Sequence, residues 1–120
     1  MKKSILVALA SMLCLCWSLS LSAQDEMAYK GEVLDLSCYL KSGAKGPDHA
    51  QCAKSCVKSG QPMGLLTDDG KVLLLASGED KEKIETLKDL AGEMVEVKGA
   101  VSERDGISML VVSDAKKSGS

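Results

Sequence analysis

The sequence predicts a mainly β fold with two helices, arranged as one small five-stranded barrel. Short apolar runs bounded by turn residues occur at five places and are typical of strands. Two other segments, 48–59 and 81–91, carry apolar residues at helical spacing. The resulting order is strand, helix, strand hairpin, helix, strand hairpin. This is the order of an OB-fold-like barrel with an extra helix inserted after strand 1.

The N-terminus has the three parts of a cleavable secretory signal peptide. Met1–Lys3 is basic, Ile5–Trp17 is an almost unbroken apolar run, and Ala23 is a suitable cleavage position. The apolar run is too short to span a bilayer, and no later run is long enough to anchor the chain. We therefore expect residues 1–23 to be removed and the remainder to be periplasmic or secreted.

The exported part would be a small acidic domain. Of the fifteen Lys and Arg, Lys2 and Lys3 leave with the signal, so thirteen face seventeen Asp and Glu, a net charge of about −4. Only two aromatic residues, Tyr29 and Tyr39, remain. Nucleic-acid binding needs a positive groove and stacking platforms, so the composition argues against it. No stable membrane anchor is expected after signal cleavage.

The first half of the expected domain, 31–114, follows a polar lead-in at 24–30. Tyr29–Leu40 alternates as a half-buried strand, which places Cys38 with the core leucines and Asp35 on the solvated face. Asp48–Ser59 then has helical spacing, with Pro47 suited to the first turn and Gly60 to the stop.

The second half of the domain is predicted from turn signals. Asp69-Gly70 between two apolar runs predicts a hairpin within 64–77. A helix over 81–91 should end at Gly92, and 93–101 with 106–113 should form the last hairpin. Residues 115–120 are expected to be a polar tail.

The chemically capable residues lie in one window. Cys38, His49, Cys52 and Cys56 include the only histidine and all the cysteines that remain after the signal. At 100° per residue, the last three fall within an arc of about 60° on one helix. The adjoining stripe of this helix contains two alanines and a valine, so it should dock weakly by apolar burial alone. A cross-link from this helix to Cys38 would supply the stability that apolar packing does not.

A metal site explains this set most directly. Three thiolates and one imidazole from Cys38, His49, Cys52 and Cys56 form a tetrahedral set that suits Zn²⁺. Thiolates with a histidine equally suit Cu⁺. The sequence has no paired catalytic acids and no phosphate loop, so we expect a non-enzymatic metal-binding or metal-handling module.

Other interpretations remain open. Cys52 and Cys56 near His49 could be the exchanging pair of a thiol–disulfide redox protein. A bridge from Cys38 to either of them could instead staple a module that binds a partner protein. Because cysteine is often buried, the three thiols could also be core residues beside an incidental histidine.

Three short motifs resemble those of a group of small uncharacterised exported bacterial proteins with an OB-fold-like domain. They are D-x-x-C-Y at Asp35–Tyr39, H-x-x-C-A-x-x-C at His49–Cys56 and G-x-P-x-G at Gly60–Gly64. The resemblance covers nearly all of 31–114 and implies no activity. The C-x-x-x-C pair with a histidine is also similar, in part, to copper-delivery proteins of respiratory oxidase assembly. No proline directly follows Cys56, as it does in those proteins.

Overall fold

The computed structural model describes residues 25–119, so the expected signal peptide lies outside the described residues. The strands are β1 (Met27–Asp35), β2 (Met63–Thr67), β3 (Val72–Ser77), β4 (Met94–Arg104) and β5 (Ile107–Lys117). The helices are α1 (Leu36–Ser42), α2 (Ala50–Lys58) and α3 (Lys81–Asp89), and a 3₁₀ turn, Pro47–His49, leads into α2.

The five strands close into a barrel in the order β1-β2-β3-β5-β4. β1 closes it by pairing antiparallel with both β2 and β4, while β3 and β5 pair in parallel. The predicted hairpin at Asp69-Gly70 joins β2 to β3, and Gly70 takes the positive φ of 83° that this turn requires. The predicted five-stranded OB-fold-like barrel, with a helix between the third and fourth strands, is confirmed.

The core fills the barrel from alternate strand positions. Its side chains are aliphatic, in keeping with the scarcity of aromatic residues. Helix α3 packs against the barrel and adds Leu87 to this core. Burial of branched and aliphatic side chains supplies most of the stabilisation, at about 25 cal/mol per Å². The fully buried members are Val33, Leu65, Leu87, Ala91, Val95, Val97, Leu110 and Val112.

The expected strand Tyr29–Leu40 is wrong beyond Asp35. The Asp35 side chain accepts a hydrogen bond from the Ser37 N–H at 2.9 Å, which caps and starts a third helix, α1. Gly43, at φ 71°, ends it. Cys38 therefore lies on a helix rather than a strand. In this short helix only Leu36 is buried, and Leu40 is 76 % exposed.

The outer strands are longer than the sequence indicated. β1 starts at Met27, within the expected polar lead-in, and β5 runs to Lys117, within the expected tail. Met27 is opposite Gly99, and Val95 is opposite Lys117. Backbone pairing with β4 extends these ends. Most of their side chains are exposed, and only Tyr29 and Ala115 are partly buried against the core, so hydrophobic alternation gave little signal there.

The segment between β1 and β2, residues 36–62, is the helical insertion that carries the cysteines. α2 docks on the barrel through Ala53 and Val57. Its start approaches the backbone so closely at Gly92 that a Cβ there would lie 2.6 Å from the Ala50 Cα. Two ion pairs also hold it, Lys54–Glu93 at 3.3 Å and Lys58–Asp89 at 2.6 Å. No helix within 25–119 is long and apolar enough to cross a membrane.

Candidate metal site

Three cysteine sulfurs meet where the two helices of the insertion face one another. Cys38 comes from α1, and Cys52 and Cys56 come from one face of α2. Their sulfur atoms all lie within 4.8 Å of one another. Cys52 is exposed and the other two are half-buried; all three are free thiols. We call these three residues the sulfur group.

His49 belongs to a second group of donors. A ring nitrogen of His49, a carboxylate oxygen of Asp35 and the sulfur of Cys38 also lie within 4.8 Å of one another. The histidine does not join the sulfur group. The four ligands expected from the sequence are therefore neighbours, but they are split between two groups that share Cys38.

Asp35 is the site residue that the sequence reasoning missed. The strand prediction placed it on a solvated face, whereas its side chain is only 1 % exposed. Oδ1 accepts the Ser37 N–H, while Oδ2 is buried and has no hydrogen-bond partner. The sequence did contain one indication of this role. Asp35 stands three residues before Cys38, which is also the distance in sequence between an N-cap residue and the third residue of the helix that it caps.

The groups around the Asp35 carboxyl favour its ionised form despite its burial. Burial raises its pKa, but the thiols of Cys38 and Cys56 and the Ser37 N–H favour the anion and hold the pKa below its ordinary value of 3.8. The two thiols do this by proximity, since neither donates to Oδ2 in full hydrogen-bond geometry. Among residues 25–119, Asp35 forms no ion pair, so a buried negative charge lies beside the thiols without a cation.

Burial and the same carboxylate raise the pKa of two of the thiols, those of Cys38 and Cys56. The pKa of Cys38 is raised, first by the close approach of the Asp35 carboxylate and then by burial. Burial, followed by Asp35 and Cys52, raises the pKa of Cys56 to about 11. A thiolate at this position needs a positive charge that the described protein groups do not supply. A bound metal ion would supply it, because metal coordination deprotonates thiols.

The three sequence motifs adjoin one another at this site. The Leu36 N–H donates to the Pro62 carbonyl at 3.0 Å, and Ser37 Oγ donates to Gln61 Oε1 at 2.6 Å. Gly64 leaves room for Leu36, whose Cδ2 would lie 2.6 Å from a Cβ at that position. The G-x-P-x-G segment therefore supports α1, and through α1 it positions Cys38 against α2.

No family model, no characterised protein and no solved structure matches this chain at a significant level.

Proposed function

We propose that this chain is an exported, non-enzymatic metal-binding or metal-handling module that holds Cu⁺ or Zn²⁺ through Cys38, Cys52 and Cys56. The observation that carries the proposal is the convergence of three sulfurs, within 4.8 Å of one another, from two separate helices. An ion bonded to all three would join α1 to α2. His49 contributes through the group that it forms with Cys38 and Asp35.

The donor chemistry supports a soft or borderline ion. Thiolates select Cu⁺ and Zn²⁺ over hard ions such as Mg²⁺ and Ca²⁺, which take oxygen ligands. Three thiolates can complete a trigonal Cu⁺ site, and they leave one position of a tetrahedral Zn²⁺ site for another ligand.

The exposure of the sulfur group favours exchange of the ion over permanent burial. Cys52 is exposed, whereas Cys38 and Cys56 are half-buried. A donor or acceptor protein could therefore replace the Cys52 sulfur first while the other two retain the ion. This supports a metal-handling role, with a metal-donating or metal-accepting protein as the partner.

The alternative of thiol–disulfide exchange has less support. An exchange-active cysteine needs a lowered pKa and a partly exposed, electropositive environment. Cys56 has the opposite environment, with a buried carboxylate nearby and a raised pKa. Cys52 and Cys56 also lie one turn apart on an intact helix, which is an unfavourable geometry for a disulfide.

The test is native mass spectrometry of the chain after purification without chelator and under argon, with a free-thiol count on the same sample. We expect at least one Zn²⁺ or Cu⁺ per chain and three reduced thiols. Cys56→Ser should lose the ion held by the sulfur group, while Ser55→Ala, an exposed neighbour on the same helix, should retain it. A metal-free wild type that is two hydrogens lighter would instead establish a disulfide.

A further inference from the structure

We propose that Asp35, Cys38 and His49 form a second metal position, which takes Zn²⁺ and shares the Cys38 thiolate with the sulfur group. The inference rests on the proposed function, because the same cysteine serves both positions. It differs from a single four-ligand site in the number of ions bound and in making Asp35 a ligand.

The first argument is one of distance. Two atoms bonded to one ion can be separated by no more than the sum of their bond lengths, which is about 4.4 Å for a sulfur and an imidazole nitrogen on zinc. His49 does not come within 4.8 Å of all three sulfurs, whereas it does so with Cys38 and Asp35. In this geometry one ion cannot bond to all four predicted ligands. Two ions that share Cys38 can engage every donor.

The second argument comes from two unpartnered atoms. Asp35 Oδ2 and His49 Nε2 are both buried, and neither has a hydrogen-bond partner. A buried polar atom without a partner costs about 1–3 kcal/mol, and more when it is charged. Both atoms belong to residues of the same three-donor group. One cation at that group would compensate both residues.

The third argument is charge balance. With three thiolates and the Asp35 carboxylate, the combined donors carry four negative charges, while neutral His49 adds none. One divalent ion would leave two uncompensated charges in a partly buried site, which is costly. No ion pair within residues 25–119 involves Asp35. Two divalent ions would neutralise the set.

The donor types identify the ion. Carboxylate oxygen, imidazole nitrogen and thiolate sulfur are all normal zinc ligands, and three protein ligands leave a fourth position for water. Cu⁺ prefers sulfur and does not favour a carboxylate. The second position therefore has chemically harder ligands than the sulfur group, whose three ligands are all soft thiolates. Its carboxylate ligand, Asp35, is also the residue that caps α1.

The experiment is a Zn²⁺ titration, with stoichiometry from native mass spectrometry and affinities from competition with a chromophoric chelator. We expect the wild type to bind two ions and Asp35→Asn to bind one, with affinity for the second ion reduced at least about 100-fold. Asparagine retains the helix cap. His49→Ala should also bind one ion, Cys52→Ser should retain the second position, and Cys38→Ser should lose both.

Asp80→Asn is the matched control. Asp80 caps α3 through the same contact, an Oδ1 that accepts the Glu82 N–H at 2.9 Å, but it is exposed and belongs to neither donor group. This variant should still bind two ions. If Asp35→Asn fails to fold, His49→Ala decides, because His49 makes no side-chain cap bond.

The outcomes separate this inference from the proposed function. A wild type that binds one Zn²⁺ and is unaffected by Asp35→Asn and His49→Ala overturns the second position and leaves the sulfur group intact. One ion weakened by either substitution indicates a single mixed site, which also overturns the inference. A wild type that binds no metal overturns both proposals.

Discussion

The barrel and the helical insertion are stabilised in different ways. The barrel has a continuous aliphatic core in which Val33, Leu65 and Leu110 are fully buried. The insertion, residues 36–62, buries only Leu36, Ala53 and Val57. Ordering a residue costs about 1–2 kcal/mol of backbone entropy, and three small or medium side chains do not compensate a segment of this length. The barrel is thus held by packing, while the insertion depends mainly on polar contacts, to which a bound metal ion would add a cross-link.

The proposed metal site would therefore stabilise the insertion as well as serve its function. An ion on the sulfur group would join α1 to α2, and a second ion would join the start of α2 to the end of β1 through His49 and Asp35. Substitutions in each region, and removal of the metal, should show whether stability is divided in this way between the barrel and the insertion.

The largest effect should come from the barrel core. Leu110→Ala removes a fully buried side chain from β5 and leaves a cavity, so the free energy of unfolding should fall by about 2–5 kcal/mol. Urea denaturation of the metal-free protein measures it. Ile107→Ala, in the same strand at 65 % exposure, should change it by less than about 0.5 kcal/mol. Equal losses in the two variants would contradict a barrel held by its core.

Metal removal should act on the insertion and not on the barrel. At a free Zn²⁺ concentration of 100 times Kd, binding stabilises the bound state by about 2.7 kcal/mol. Chelation should therefore increase amide hydrogen exchange in α1 and α2, while the amides of Val95 and Val97 remain protected. Hydrogen-exchange mass spectrometry with and without chelator measures this. A uniform increase across all five strands would show that the two regions unfold as one unit.

Gly92→Ala should loosen the contact between the regions. A Cβ there would lie 2.6 Å from the Cα and Cβ of Ala50, and Gly92 has a φ of 81°. Gly106 is the control, because its φ is 84° and a Cβ there would have nothing within 4 Å. Both alanine variants carry the backbone strain, so the additional loss at Gly92, about 1–3 kcal/mol, comes from the clash. Thermal unfolding compares the two variants. Equal melting temperatures would mean that α2 shifts away from the added Cβ without loss of stability.

The smallest effect should come from Glu93, which joins α2 to the end of β5. A hydrogen bond from Lys117 lowers its pKa below the ordinary 4.5, opposed by partial burial and assisted by Lys54. Because the pKa is lower in the folded state, this stability is present above pH 4.5 and is lost as pH falls through the folded value. Glu93→Gln should cost about 0.5 kcal/mol at pH 7.

Thermal melts of wild type and Glu93→Gln between about pH 3 and pH 7 would measure this difference, because that range includes the pKa of a glutamate carboxyl. The two curves should converge at the acidic end. Glu79→Gln, at an exposed residue with no ion pair within 25–119, should match wild type throughout. A Glu93 difference that is constant with pH would mean that its charge is irrelevant.

Local patterns were enough to predict most of the barrel. Asp69-Gly70 needs only its own backbone preferences to form a turn. The apolar spacing around Ile84 and Leu87 indicates a helix regardless of which surface the helix packs against. α1 was not predictable from the same kind of pattern. Its alternating apolar residues are also compatible with a strand, and the Asp35 cap outweighed that alternation once Leu36 found its place against Gly64.

Strand alternation, turn chemistry and C-x-x-x-C spacing are local properties, so the amino-acid sequence was sufficient to predict the fold class and a cluster of cysteines with a histidine. The grouping of the donors depends instead on how the helices pack. The position of α1 depends on a loop and on contacts with Gln61, Pro62 and Gly64, which no periodicity encodes. That position places Cys38 in both donor groups and makes Asp35, which the sequence pattern placed on a solvated face, the buried carboxyl at the centre of the site.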